Sequence, residues 1–412
     1  MDFQTRMRRI HDFLKPYQNI WQNEIMLLYP NCFDFFPSDW LDEISQIDNT
    51  SDLLALEKKY YEGLIKNKEL IEFYQEIENL TQFPVAPSYP PLPEDKYTWI
   101  KMTPKKKHEI QKLAPLINEY YRSQNIERIV DIGGGIGLLS QTLAKSYQHR
   151  IISLDMDQVL QSTGEARFKK YGGTDQSLQF KQVKILGDEP KFLAELHPQR
   201  MTVGLHTCGT LAVDQIKASA QNNLKAIISL GCCYLKLNDD GKDQNISQFS
   251  QSFSTPLTMN PFALTLACGA HRKVSYESIS FKRQVKFYRY TLHTLLADHY
   301  QHSELIIFGS SSGKDYDGRF CDYVKIQFQK VGFTLKHTEE ELEQYYQDKL
   351  PTVKRMYSAG FIRDALSRLL EVYLILDRAI YLEEKNYRVE VLEVFDGEMS
   401  PRNLGIFAHL KN

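Results

Sequence analysis

Asp131-Ile132-Gly133-Gly134-Gly135-Ile136-Gly137 decides the fold of this chain. An apolar run, Ile126 to Val130, precedes it, and Leu138-Leu139-Ser140-Gln141-Thr142-Leu143 follows as a helix start. Strand, glycine turn and helix in succession form the first unit of a doubly wound α/β sheet. Glycines let the backbone turn sharply and admit a ligand where a Cβ would stand. The helix N-terminus adds unpaired N–H groups. The glycine spacing restricts what binds. A dinucleotide fingerprint needs glycine at the first, third and sixth positions. Counting from Gly133 reaches Leu138, and counting from Gly135 reaches Ser140, so both counts fail. The pattern that holds is acidic-x-Gly-x-Gly-x-Gly, through Asp131, Gly133, Gly135 and Gly137.

Outward from this turn, strand-like runs fall at 126–132, 150–155, 180–187, 201–207 and 226–231, with helical patterns between them. Such alternation implies parallel strands joined by crossover helices. It stops after residue 260. Residues 261–385 read as a helical insertion, including Phe281 to His299 and Phe361 to Leu382. Residues 386–412 read as two closing strands, Tyr387 to Val394 and Leu404 to Leu410, joined through Asp396-Gly397. Before the core, residues 1–80 carry apolar residues at helical spacing in Phe13 to Leu28 and Leu53 to Tyr74. Residues 81–98 form a connector with Pro84, Pro87, Pro90, Pro91 and Pro93. The expected fold is therefore α/β and Rossmann-like. A core at 99–260 carries an N-terminal helical cap, and the insertion displaces the last two strands of a seven-stranded sheet.

Composition narrows the setting. The 412 residues are 42% hydrophobic and 25% charged, which allows one large or two moderate globular domains. A net charge of −2 argues against a strongly basic nucleic-acid binder, though not against a local patch. Six cysteines in so long a chain do not make a disulfide framework. No apolar run reaches the length of a membrane span. Met1-Asp2-Phe3-Gln4 carries no signal-peptide pattern. These points lead us to expect a soluble protein of the cytoplasm.

The acidic-x-Gly-x-Gly-x-Gly run resembles motif I of class I S-adenosylmethionine (SAM) methyltransferases. That resemblance implies a turn cradling an amino-acid tail and a ribose, with Asp131 suited to the cationic end of the ligand. Asp155 closes the second strand, where a carboxylate accepts ribose hydroxyls. Asp157 is its near neighbour and alternative. Asp188 follows the third strand, where methyltransferases often meet the adenine amino group. It is equally suited to capping a helix that starts near Pro190. The fourth strand ends in Leu205-His206-Thr207-Cys208-Gly209, beside the transferred methyl, so His206 is expected against the cofactor. The Asn/Asp-Pro-Pro-aromatic run of enzymes that methylate adenine amino groups is absent. The fifth strand ends in Gly231-Cys232-Cys233-Tyr234 and faces the same cleft.

The remaining candidates cluster around these ends. Thr103 and Pro104 start a helix that carries Lys105, Lys106, Lys107, His108 and Glu109. A basic run at a helix start opposes the helix dipole. Lys105, Lys106 and His108 are therefore candidates for substrate binding, with a solvated basic face as the alternative for Lys105 and Lys107. His206, Tyr234 and Glu109 are the candidate proton acceptors. Cys208, Cys232 and Cys233 are placed at the substrate edge. No metal is expected, because adjacent cysteines rarely ligate one ion. The sulfurs read first as small packing groups. Lys282, Arg283, Lys286 and Arg289 recur at near-helical spacing and could form a basic stripe for RNA or an acidic protein tail.

Several blocks together resemble the methyltransferase-like 25 family, whose members include proteins labelled as containing a ribosomal-RNA-adenine-dimethylase domain. They are Met102 to Glu109, Gly204 to Gly209, Gly231 to Leu237 and Ser400-Pro401-Arg402-Asn403-Leu404. The resemblance spans roughly residues 100 to 410 and implies a class I methyltransferase that uses SAM. The substrate it leaves open is RNA or protein. A SAM-binding sensor without chemistry is the alternative.

Overall fold

The computed structural model describes residues 1–412 except 59–60, 94–98, 101, 238–240, 270–274, 305, 307, 309–310 and 412. The connector's residues 94–98 and the scattered gaps within the core and the insertion therefore lie outside the described residues. The chain forms two compact units. One comprises Met1–Phe13, Leu80–Lys273 and Arg368–Asn412; the other comprises Leu14–Asn79 and Val274–Ser367. Among the described residues no helix is long and apolar enough to cross a membrane.

The first unit holds a seven-stranded sheet. Its strands are β1 (Arg128–Ile132), β2 (Ile151–Asp155), β3 (Leu178–Gln182), β4 (Arg200–Thr207), β5 (Ala226–Gly231), β6 (Tyr387–Glu393) and β7 (Leu404–Leu410). Their order is β3-β2-β1-β4-β5-β7-β6. Strands β1 to β5 are parallel, and β7 runs antiparallel to both β5 and β6. The order reverses between β1 and β4, so a crevice opens at the carboxyl ends of the central strands. Strand periodicity explains the layering. Ile129 and Ile151 enter one core, while Val130, Ile132, Ile152 and Leu154 enter the other. Both faces are covered, which is why these strands read as nearly continuous apolar runs.

Four helices matter for the crevice: α1 (Pro104–Ser123), α2 (Leu138–Tyr147), α3 (Gln158–Lys170) and α4 (Thr210–Gln221). Thr103 caps α1 by accepting from the Lys106 N–H at 3.3 Å, and Pro104 follows at the first helical position. Ile110, Leu113 and Ile117 of α1 lie fully buried in the core that also holds Ile129 and Phe407.

The structure departs from the sequence reading in several places. Strand β3 stops at Gln182, not Gly187. Its pairing partner β2 ends opposite, at Asp155, so nothing remains to pair with. The expected helix from Leu53 to Tyr74 is two helices, Thr50–Glu57 and Lys68–Thr81. Gly63 sits at φ +78 between them, and the Asn67 side chain accepts from the Leu70 N–H at 3.0 Å to start the second. The stretch Phe361 to Leu382 is likewise divided, between Glu339–Ala365 and α5 (Ser367–Glu384).

Unit boundaries also differ from the sequence segments. The helix Phe3–Leu14 contributes its residues up to Phe13 to the sheet-bearing unit. Its Arg6 donates to the Gln82 carbonyl at 2.6 Å, and its His11 ring stacks on Phe253 at 4.3 Å. From Arg368 onward α5 also belongs there. Its buried Asp377 accepts from the Ile246 and Ser247 N–H groups at 2.7 and 3.0 Å. Long-range polar pairs of this kind leave no trace in local periodicity.

The second unit packs helices Tyr276–Tyr300, Phe320–Val331 and Glu339–Ala365 around Leu292, Leu295, Phe320, Phe328 and Leu342. The basic stripe is partly consumed inside this unit. Arg283 pairs with Asp48 at 2.6 Å, and Lys286 lies 3.7 Å from Asp364. Arg289 remains exposed.

Candidate active site

Glycine chemistry builds the first wall of the crevice. Gly133, Gly135 and Gly137 adopt φ values of +65, +57 and +68, which side-chain-bearing residues rarely hold. A Cβ on Gly137 would meet Phe180 at 2.7 Å, but a Cβ on Gly135 would meet no atom within 4 Å. Gly135 therefore faces open space, as a ligand cradle requires. Its backbone is held from both sides. The N–H donates to Asp155 Oδ2 at 2.9 Å, and the carbonyl accepts from Gln161 Nε2 at 2.7 Å.

Asp155 ends β2 and also accepts from the Asp157 N–H at 2.9 Å. Asp157, the alternative to Asp155, caps α3 through the Val159 and Leu160 N–H groups and is occupied there. Asp131 lies on the sheet face covered by α1 and α2 and is 4% exposed. Burial raises its carboxyl to about 6, despite the 2.5 Å hydrogen bond from Ser140 that works the other way.

A buried carboxylate organises the second wall. Glu109 of α1 is fully buried, and its Oε1 lies 2.8 Å from His206 Nε2 and accepts from Ser400 Oγ at 2.7 Å. Lys106 Nζ stands 3.2 Å from Oε2. Burial opposes the charged form, but His206, Lys106 and Ser400 outweigh it and hold this carboxyl at about 2. His206 reaches Glu109 through an irregularity. Its φ is +65, and the β4–β5 register shifts between Leu205 and Thr207. A bulge of this kind re-aims one side chain out of the strand alternation. With Glu109 accepting from Nε2–H, the Nδ1 lone pair of His206 is left for another proton.

This carboxyl has a consequence for acid stability. Its folded value of about 2 lies below the ordinary 4.5. Its stabilisation is thus present above 4.5 and is lost as pH falls towards 2. The shift corresponds to about 3 kcal/mol at pH 7. Urea titrations should show the advantage of the native chain over Glu109→Gln shrinking between pH 5 and pH 3. A gap independent of pH would remove the ionisation of Glu109 from the stability of the fold.

Three thiols meet at the ends of β4 and β5. Cys208 Sγ lies 3.2 Å from Cys232 Sγ, which lies 3.6 Å from Cys233 Sγ. The hydrogen bond they share holds the Cys208 thiol down and pushes Cys232 up, while burial pushes Cys233 up. Gly209 follows at φ +57, where a Cβ would lie 2.2 Å from the Lys236 carbonyl oxygen.

The other expected residues make contacts of their own. Tyr234 is buried, and its hydroxyl donates towards Glu371 of α5 at 3.5 Å. Burial and that carboxylate raise its phenol well above 10. His108 accepts from the Asp396 N–H at 3.2 Å. Lys105 is half exposed and 3.7 Å from Glu109. Asp188 is exposed in the turn after β3, and Glu189, not Asp188, caps the following short helix.

Ser140, Gln161 and Ser400 were missed as site residues. The first two stand on helices without a motif. Ser400 belongs to a block whose resemblance to the family implies no chemistry for it.

A family model described as a methyltransferase domain matches residues 105–240. The range covers the glycine turn, Asp155, His206 and the three thiols. The chain is similar to the probable methyltransferase-like protein 25 of Mus musculus, 26% identical over 224 residues, covering 50% of this chain and 37% of that protein. The Homo sapiens protein of the same name is 26% identical over 223 residues, covering 50% and 36%. The matched region is thus little more than a third of these relatives' length. A solved structure of coclaurine N-methyltransferase, bound to N-methylheliamine and SAH, aligns over 90% of this chain and 97% of its own. Its identity is 9% and its TM-score 0.26, too slight a likeness to bear on this site. Sheet order, glycine turn and domain match together give the chain a methyltransferase domain on a Rossmann-like sheet, similar over half of the chain to methyltransferase-like protein 25.

Proposed function

We propose that the chain transfers the methyl group of SAM to a proton-bearing group on RNA or protein, with His206 taking the proton and Glu109 positioning His206. The observation that carries this reading is the bulged His206, hydrogen-bonded to a fully buried carboxylate at the end of β4. Strand β4 neighbours β1 at the switch point, beside the glycine cradle.

When bound, SAM supplies an electrophilic methyl on sulfur. The chain's own part is to position, to exclude water and to remove a proton. Gly135 leaves room for the ligand, Gly133 and Gly137 shape the turn that holds it, Asp155 faces its ribose, and Asp131 meets its ammonium. Exposed Met156, next to Asp155, offers an apolar surface for the base. Asp188 stands further along the same edge. Cys208, Cys232 and Cys233, with Lys105, Lys106 and His108, border the substrate side. Six free thiols suit the reducing cytoplasm, which is the compartment we propose.

Isothermal titration with SAM and with S-adenosylhomocysteine, followed by a labelled-methyl screen of RNA and protein, tests this function. Micromolar binding with label transferred supports it. Binding without transfer to any fraction would make the chain a SAM sensor. The pH dependence is a second check. Asp131 must ionise to pair with a cation, and its carboxyl titrates at about 6 in the free protein. SAM affinity should therefore fall by about tenfold per pH unit below 6 and level off above it. Asp131→Asn should flatten that profile, and equal affinities of the native chain at pH 5 and pH 7 would remove Asp131 from the ligand.

A further inference from the structure

The cysteine group contains more order than packing requires. Sulfurs of Cys208, Cys232 and Cys233 all lie within 4.8 Å of one another. A zinc ion bound at about 2.3 Å to each of several thiolates in a tetrahedral set needs sulfurs about 3.8 Å apart. The edges at Cys232, 3.2 and 3.6 Å, and the upper bound of 4.8 Å on the third bracket that spacing.

The usual objection is that neighbours along a strand point to opposite faces. It does not hold here. β5 ends at Gly231, and Cys233 has left the strand with φ −98 and ψ 81, so Cys232 and Cys233 converge. Cys208 joins them because Thr207 pairs with Gly231 in the parallel register, one residue earlier on each strand. A fourth sulfur is near. The Cys268 thiol donates to the Cys232 carbonyl at 3.7 Å.

We propose that Cys208, Cys232 and Cys233 form a thiolate site for zinc at the carboxyl ends of β4 and β5, with Cys268 or water as the fourth ligand. Three sulfur–metal bonds form and the thiol protons pass to solvent; nothing is oxidised or reduced. Soft thiolates select zinc over hard oxygen-seeking cations. The ion would fasten the two strand ends together two residues beyond His206. The inference is independent of the methyl-transfer reading and stands if no methyl acceptor exists.

The test uses the full chain, freed of any affinity tag and kept reduced, loaded with Zn2+ and then dialysed against metal-free buffer. Elemental analysis should find about one zinc per chain, released when an organomercurial titrates the thiols. Cobalt in its place should give thiolate-to-metal charge-transfer absorption in the near ultraviolet. This reading requires no variant and so does not depend on one that folds. Cys208→Ser and Cys233→Ser should lose the metal, while Cys32→Ser and Cys321→Ser keep it. No retained zinc together with no charge-transfer band would overturn the proposal. So would metal retained in the variant lacking all three thiols, or a Cys208–Cys232 disulfide found by mass spectrometry in metal-free protein that cannot be loaded after reduction.

Discussion

Gly135→Arg should abolish SAM binding. Two effects act together. Residue 135 sits at φ +57, and its missing Cβ faces open space in the crevice. An arginine there adds a long cation to the cavity that must receive the ligand's own positive end. It also strains a backbone held by Asp155 and Gln161. The strain alone costs about 1 kcal/mol for a side chain in the left-handed region. Occlusion adds the larger part, so the dissociation constant should rise more than about a hundredfold, or some 3 kcal/mol. Calorimetry on folded variant protein reads this directly. Gly135→Ala separates the two terms, because its single methyl mainly reports strain. Unchanged affinity in the arginine variant would count against the glycine turn as the cofactor site.

His206→Ala should lower kcat by about a hundredfold to ten-thousandfold, the range for a lost general base, while SAM affinity stays within a few-fold. The split matters, because a merely structural histidine would weaken binding and stability together. Glu109→Gln should act in the same direction but more weakly, since it disturbs the orientation of His206 without removing the imidazole. The natural readout is single-turnover methyl transfer, once an acceptor is in hand. If His206→Ala transfers methyl at the native rate, proton removal belongs to the substrate or to solvent.

How much of this was legible beforehand divides by range. The glycine turn, the first two strands and Asp155 are local patterns, and local chemistry enforced them. β3 was misjudged because its end is set by the length of its partner, not by its own residues. Buried Val183 and Ile185 kept the apolar look of a strand past the last pair. The Glu109–His206 pair spans 97 positions and depends on a positive φ at a non-glycine residue. No periodicity announces such a bulge. The same holds for the thiols: the sequence shows Cys232 and Cys233 only as adjacent residues, and it is the end of β5 at Gly231 that lets their sulfurs approach to 3.6 Å.

The sheet order sets a timetable for synthesis. β5 is complete at Gly231, yet the strand that covers its outer edge, β7, begins only at Leu404. At about 5–20 residues per second, the ribosome leaves that edge unpaired for roughly 9–35 s. During this interval the row of open N–H and C=O groups on β5 is a template for any passing strand. The nascent chain also carries high contact order, because its last residues close its oldest sheet. Chaperone demand and aggregation during expression should therefore concentrate in this window, before the C-terminal hairpin emerges.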